Sequence, residues 1–110
     1  MLISTLVLAA MVQSPAAVDT SRAAFTKCLR THMSKSLKDK MTPAEYDMTI
    51  KGVCTSERDA FRKAVTALNR ATGDSAADAA ENADMQIEDY QANFSEKFKD
   101  YTESNAIPED

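Results

Sequence analysis

Residues that break regular structure are scarce in this sequence, and their scarcity limits the folds open to it. Its 110 residues include two glycines, Gly52 and Gly73, and three prolines, Pro15, Pro43 and Pro108. A β-sandwich or barrel needs a turn about every 8–12 residues, and turns of that kind rely on glycine and proline. The long uninterrupted segments between these five residues are instead typical of α-helices.

The first helix is predicted from apolar and small residues that recur at spacings of three and four along one face. They are Phe25, Cys28, Leu29, His32, Met33, Ser36 and Leu37. Asp19, Thr20 and Ser21 are each able to cap the start of this helix. Its end is expected near Lys40, because lysines there suit the negative end of the helix dipole.

The second helix begins with a clear signature, the segment TPAE at residues 42–45, in which a capping threonine precedes proline and glutamate. Its apolar face comprises Tyr46, Ile50, Val53, Cys54, Phe61, Ala64, Val65 and Leu68. This face keeps its phase past Gly52, so we expect one continuous helix that ends at Gly73. Ser56 and Asp59 offer an alternative start if the helix is broken.

The third helix is predicted to start at Ser75, with Asp78 completing a capping box. Its apolar face comprises Ala80, Ala83, Ile87, Tyr90, Phe94, Phe98 and Tyr101. Short linkers make consecutive helices antiparallel. The fold class is therefore all-α, a small up-down-up three-helix bundle over residues 17–104, with a flexible acidic tail over residues 105–110.

The N-terminus is expected to be a signal peptide. Residues 1–12 form an apolar run that only Ser4 and Thr5 interrupt and that carries no charged side chain, and small residues follow it. Ser14 and Ala16 suit the −3 and −1 positions, which places cleavage before Ala17 and the signal peptide at residues 1–16. A membrane anchor is the less favoured alternative, because a spanning helix needs about 20 apolar residues. The other alternative is that this segment forms a core helix of the fold. The pattern indicates a bacterial periplasmic or otherwise secreted protein.

The two cysteines are expected to form a disulfide. If the first two helices fold back on each other around Met41, Cys28 and Cys54 face one another, since each lies 13 residues from that point. Both are on the apolar face of their helix, and an exported chain meets an oxidising compartment. A small domain also gains from such a covalent link.

A metal site is the alternative use of these cysteines. Cys28 and His32 are one helical turn apart, and Cys54 would approach from the neighbouring helix, with Glu57 as a possible fourth ligand. Zinc sites usually show paired close spacings, such as CxxC, that this chain lacks. We therefore expect no cofactor, and we expect His32 to pack between the helices against Ile50.

No catalytic motif stands out in the sequence. The motifs GxSxG, GxGxxG and HExxH and the phosphate-binding P-loop do not occur. Glu81, Asp84, Glu88 and Asp89 fall on the polar face of the third helix, where solvation is the ordinary outcome. The chain is expected not to be an enzyme, and no small-molecule substrate is evident.

Charge is distributed unevenly along the chain. Residues 19–70 carry eleven basic and six acidic side chains, whereas residues 71–110 carry two basic and eleven acidic ones. The basic segment and the acidic segment either neutralise each other within the monomer or leave a basic face free for a partner. The candidate basic face comprises Arg22, Lys27, Arg30, Lys38, Arg58, Arg62 and Lys63. The overall charge of −4 argues against nucleic acid as that partner.

Alanines flank the turn between the second and third helices, where the shorter first helix is not expected to reach. This end either protrudes as a thin hairpin or is covered by residues 17–21. Together these features predict an exported, non-enzymatic helical protein that binds an unknown protein or an anionic envelope surface, with a homodimer as a further option. A small metal-binding protein using Cys28, His32 and Cys54 is one alternative, and a holdase-like periplasmic chaperone is another.

Overall fold

The structure is a computed structural model that describes residues 14–106. Within this range it is all-helical and contains no strand. Four α-helices follow one another, namely α1 (Pro15–Lys38), α2 (Pro43–Thr49), α3 (Thr55–Ala71) and α4 (Ala76–Ser104). A short 3₁₀ turn, Ile50–Gly52, lies between α2 and α3. None of these helices is both long and apolar enough to cross a membrane.

Helix α1 begins earlier than the sequence analysis expected. Ser14 is its N-cap and accepts a hydrogen bond from the backbone N–H of Ala17 at 3.1 Å. Pro15 occupies the first helical position, where its missing N–H costs nothing. Ser21 was expected as a possible cap, but its hydroxyl donates back to the carbonyl of Ala17 at 2.8 Å inside the helix. The Ser14–Pro15 pair therefore takes the capping role assigned to residues 19–21.

The starts of α2 and α4 agree with the sequence prediction. Thr42 accepts from the backbone N–H of Glu45 at 3.2 Å, and its hydroxyl donates to the Glu45 carboxylate at 3.1 Å. Ser75 accepts from the backbone N–H of Asp78 at 3.1 Å. Gly73, which follows the C-cap residue Thr72 of α3, has a φ of +111°, which glycine adopts without steric cost. Local capping chemistry thus determines these helix ends.

The continuous second helix was a wrong prediction, because the chain breaks between α2 and α3. After the 3₁₀ turn Val53 is extended, and Cys54 has a left-handed backbone with a φ of 56°. No side chain caps α3 at this point. Ile50 is only 2% exposed, so the turn itself is anchored in the core. Tertiary contacts therefore override an apolar pattern that would allow one long helix.

The core lies between α1, α3 and α4. Helix α2 packs against the C-terminal part of α4. The buried apolar residues of the core are Val18, Phe25, Leu29, Met33, Tyr46, Ile50, Phe61, Ala64, Val65, Ala83, Ile87, Phe94 and Phe98. Most of these were predicted from helical spacing. Ala80 was predicted to face the core, but it is exposed and Ala79 is buried instead. The helix therefore turns a slightly different face inward near its start.

The early start of α1 also bears on the alanine-rich end. Val18 is buried and belongs to the same core cluster as Ala64 and Ala83. The first turns of α1 thus contribute to the same core as these two alanines. Ala71 and Ala76, closest to the turn between α3 and α4, stay exposed.

The predicted signal peptide lies largely outside the described residues, as does the tail beyond Ala106. Of the tail, Asn105 and Ala106 are described. Asn105 has a φ of 56° and caps α4, and the N–H of Ala106 donates to the carbonyl of Tyr101 at 3.0 Å. These hydrogen bonds close the C-terminal turn of α4.

Candidate functional site

Cys28 and Cys54 form the predicted disulfide. Their sulfurs are 2.06 Å apart and their Cα atoms 6.0 Å apart. The bond joins the middle of α1 to the residue that precedes α3. The pairing was predicted from two continuous facing helices, whereas Cys54 lies at the end of the break. The disulfide therefore fixes the place where α3 begins.

The proposed metal-ligand set is only partly brought together. Both cysteine sulfurs and a carboxylate oxygen of Glu57 lie within 4.8 Å of one another. His32 does not belong to this group. Because the two sulfurs are bonded to each other, neither offers a thiolate to a metal ion. The geometry favours the disulfide over the three-ligand set of Cys28, His32 and Cys54.

His32 packs on an aromatic ring of α2. Its imidazole stacks on Tyr46, with ring centroids 5.3 Å apart, although Ile50 was its predicted neighbour. Its buried Nε2 has no hydrogen-bond partner within residues 14–106. Burial, and secondarily the charge of Lys35, lowers the pKa of His32 below its usual value. Folding therefore favours the neutral form of the imidazole relative to a free histidine.

Tyr46 also stacks on Phe98, with ring centroids 4.1 Å apart and an interplanar angle of 4°. The Tyr46 hydroxyl is buried and also has no partner in the described part of the chain. Burial, with a smaller effect from Asp47, raises the pKa of this hydroxyl. His32, Tyr46 and Phe98 thus form a stack that connects α1, α2 and α4, which gives His32 a structural role.

A groove runs beside the disulfide, between α1 and the start of α3, and we call it the disulfide groove. Its volume is about 520 Å³, and its lining is mainly apolar, with Ala24 and Val53 beside the disulfide. Lys27 and Lys35 line it from α1, and Glu57 lines it from α3. The groove therefore combines an apolar surface with two cations and one carboxylate.

Three members of the predicted basic face are engaged with carboxylates. The ion pairs join Arg22 to Asp19 at 2.8 Å, Arg58 to Asp59 at 3.2 Å, and Arg62 to Asp59 and Asp84 at 3.2 and 2.9 Å. Arg58 also donates to the carbonyl of Lys51 at 3.0 Å. Lys27, Arg30, Lys38 and Lys63 are exposed and form no ion pair within the described chain. Three of these four lie on α1.

The basic residues are also divided among separate grooves. Lys27 lies at the disulfide groove, and Arg30 lines a second groove between α1 and α4. Arg58 and Arg62 line a third, between α3 and α4. Lys38 lies near the C-terminal end of α4. The structure therefore does not unite the seven residues in one groove.

Sequence reasoning missed Lys35 as a candidate binding residue, because its position in the last turns of α1 suggested a role in stabilising the helix end. It is exposed and lines the disulfide groove with Lys27. Its spacing of eight residues from Lys27, close to two helical turns, is the signal that places both near the same groove.

The four carboxylates singled out on α4 are exposed, as predicted. Asp84 is the one among them that forms an ion pair within residues 14–106, with Arg62.

Comparison of the chain with protein-family models, with curated proteins and with solved structures finds no match in any of the three. The chemistry of the grooves is therefore the basis for assigning a function.

Proposed function

We propose that this chain is an exported, non-enzymatic helical protein that binds an acidic partner protein or an anionic surface of the cell envelope. Export is suggested by the signal-peptide pattern of residues 1–16. The Cys28–Cys54 bond supports it, because disulfides persist mainly in oxidising compartments. The contact surface is the disulfide groove together with the adjoining basic surface of α1.

The observation that carries this proposal is a set of cations beside apolar surface. Lys27 and Lys35 line the disulfide groove, and Lys38 lies further along the same helix. All three are exposed, and none forms an ion pair in the part of the chain that the structure describes. Cations without an internal partner attract carboxylates or phosphates, while the apolar lining gives a partner area to bury.

The groove's chemistry favours binding over catalysis. Among the residues that the structure describes, Glu57 is the single carboxylate that lines it, and the cysteine sulfurs are joined in a disulfide, so neither sulfur is available as a nucleophile. His32 lines the same groove, but its ring is stacked on Tyr46 and its Nε2 is buried. These groups suit a contact surface better than a reaction centre.

Charge reversal tests this proposal. The variant Lys27→Glu/Lys35→Glu should lose retention on anionic phospholipid vesicles, or capture of an acidic envelope protein, and retention by the unaltered chain should weaken with added salt. The matched control, Lys51→Glu/Lys99→Glu, makes the same charge change away from the groove and should keep binding. Equal loss in both variants, or no binding to either target by the unaltered chain, would contradict the proposal.

A further inference from the structure

The groove between α1 and α4 lies on a different side of the bundle from the disulfide groove, and we call it the α1–α4 groove. Its volume is about 500 Å³. Arg30 lines it from α1, and Asp89, Tyr90, Phe94 and Lys97 line it from α4. Tyr90 is half-buried, so this groove also combines aromatic surface with charged side chains.

The two helices that border this groove carry opposite charge. Helix α1 has five basic residues and one acidic residue, whereas α4 has eight acidic residues and two basic ones. One of those two, Lys97, lies over the ring of Phe94 at 5.3 Å from its centroid. Over its whole length α1 is therefore basic and α4 is predominantly acidic, and the charged residues that line the groove itself are Arg30 on α1 and Asp89 and Lys97 on α4.

These charges are not paired directly within the monomer. Among residues 14–106, the one ion pair that joins α4 to another helix is Arg62–Asp84, and it lies in the groove between α3 and α4. Arg30 and Asp89 line the α1–α4 groove without forming an ion pair in the described chain. Complementary charge is thus available to a second molecule on this side.

We propose that the α1–α4 groove is a dimer interface whose occupant is a second copy of this chain. The twofold axis runs parallel to the helices, which places α1 of each copy against α4 of the other. Such an axis preserves position along the bundle, so Arg30 of one copy faces Asp89 of the second copy, and the reverse holds by symmetry. Tyr90 of each copy adds aromatic area near the axis.

The size of the molecule allows this interface. The bundle measures 55 × 27 × 18 Å, so one long side exceeds the roughly 800 Å² per partner of a standard stable interface. The disulfide groove lies on another side of α1 and stays open in this arrangement. The dimer is therefore independent of the anionic-partner proposal, and either can fail without the other.

Charge-swap variants test the dimer on the purified, oxidised protein by sedimentation equilibrium. Arg30→Glu places two carboxylates together across the interface, and Asp89→Arg places two guanidinium groups together, so each variant alone should raise the dimer dissociation constant at least about tenfold. An equimolar mixture of the two variants should recover the dimer, because the introduced glutamate of one chain then faces the introduced arginine of the other. Lys63→Glu, an exposed residue of α3 that does not line the α1–α4 groove, is the matched control and should leave the constant unchanged.

Recovery in the mixture is the decisive result, since a purely internal effect of either substitution would persist when the variants are combined. A protein that stays monomeric up to about 1 mM would overturn the proposal. So would a dimer that tolerates both single variants, because it would use another surface. Loss of dimer in both variants without recovery in the mixture would show internal damage and would likewise overturn it.

Discussion

The turn between α3 and α4 and the break between α2 and α3 interrupt the helical chain over similar lengths, but different forces hold them. In the turn, Ser75 caps α4, Gly73 supplies a positive φ, and the N–H of Asp74 donates to the carbonyl of Asn69 at 3.0 Å. All of these contacts lie within a few residues of one another. The turn is therefore specified by local sequence.

The break has no capping side chain, and it places a non-glycine residue, Cys54, at a φ of 56°. Left-handed backbone is unfavourable for such a residue. Contacts with distant parts of the chain compensate, namely the bond to Cys28, 26 residues away, and the burial of Ile50. The break therefore depends on tertiary structure, whereas the turn does not.

The largest expected effect comes from removing the disulfide. Cys28→Ala/Cys54→Ala should lower the free energy of unfolding by about 3–4 kcal/mol, because the unfolded chain loses its cross-link. Chemical denaturation measures this loss, and a thiol reductant on the unaltered protein should reproduce it. Amide exchange should accelerate more at residues 50–58 than at residues 72–78. Equal acceleration in both regions would show that the break does not depend on the disulfide.

The next effect is confined to the turn. Ser75→Ala removes the hydroxyl that accepts from the N–H of Asp78, so unfolding should become easier by about 1 kcal/mol. Ser56→Ala is the matched control, because Ser56 is exposed and caps no helix. Thermal or urea denaturation of the two variants gives the difference. If both substitutions lower the free energy of unfolding by the same amount, the cap does not account for the stability of the turn.

The two glycines should respond to alanine with opposite signs. Gly73→Ala should destabilise by about 1 kcal/mol, because its φ of +111° is unfavourable for a side chain. Gly52→Ala should stabilise by about 0.4–1 kcal/mol, because its added Cβ meets no atom within 4 Å and the unfolded chain loses freedom. The urea concentration at the midpoint of unfolding measures both effects, provided that the dependence of the unfolding free energy on urea is unchanged. A destabilising Gly52→Ala would mean that the break needs glycine's flexibility.

The smallest expected effect is a pH dependence from His32, which is only partly shielded from solvent. Its folded-state pKa lies below the unfolded value of 6.5, so the unfolded chain binds the extra proton first. The free energy of unfolding should therefore fall as the pH drops through this value. Denaturation experiments between about pH 7.5 and 5.5 measure the slope of the free energy of unfolding against pH. His32→Phe keeps a stacking ring and should flatten it, whereas an unchanged slope would assign the effect to other groups.

The sequence predicted the features that local chemistry controls. The caps at Thr42 and Ser75, and the helix end at Gly73, each involve residues close together in the chain. The start of α1 was misplaced because Ser14 and Pro15 were attributed to the signal peptide. The break was missed because helical periodicity says nothing of the contacts that fix Cys54 and Ile50. The cysteine pairing itself could be predicted, since the turn near Met41 brings the two segments together.

The candidate site was predicted only in part, for a related reason. Charge counts identify basic segments, but they do not show which cations find a carboxylate after folding. Arg62 pairs with Asp84, 22 residues away, and so is less available to a partner than its sequence context suggests. Lys35 remains free of ion pairs within residues 14–106 and lines the disulfide groove. Only the packing of the helices shows that Arg62 is ion-paired and Lys35 is not.

Export of the chain remains a proposal, and the Cys28–Cys54 bond supports it. Intact mass of the protein recovered from the envelope fraction of expressing cells tests export and the disulfide at once. The expected species begins at or near Ala17, lacks the two hydrogens of the dithiol form, and carries no metal. Such a chain loses the Ser14 cap but keeps the buried Val18. A full-length chain with both thiols free, or one with a bound zinc ion, would contradict export and the disulfide.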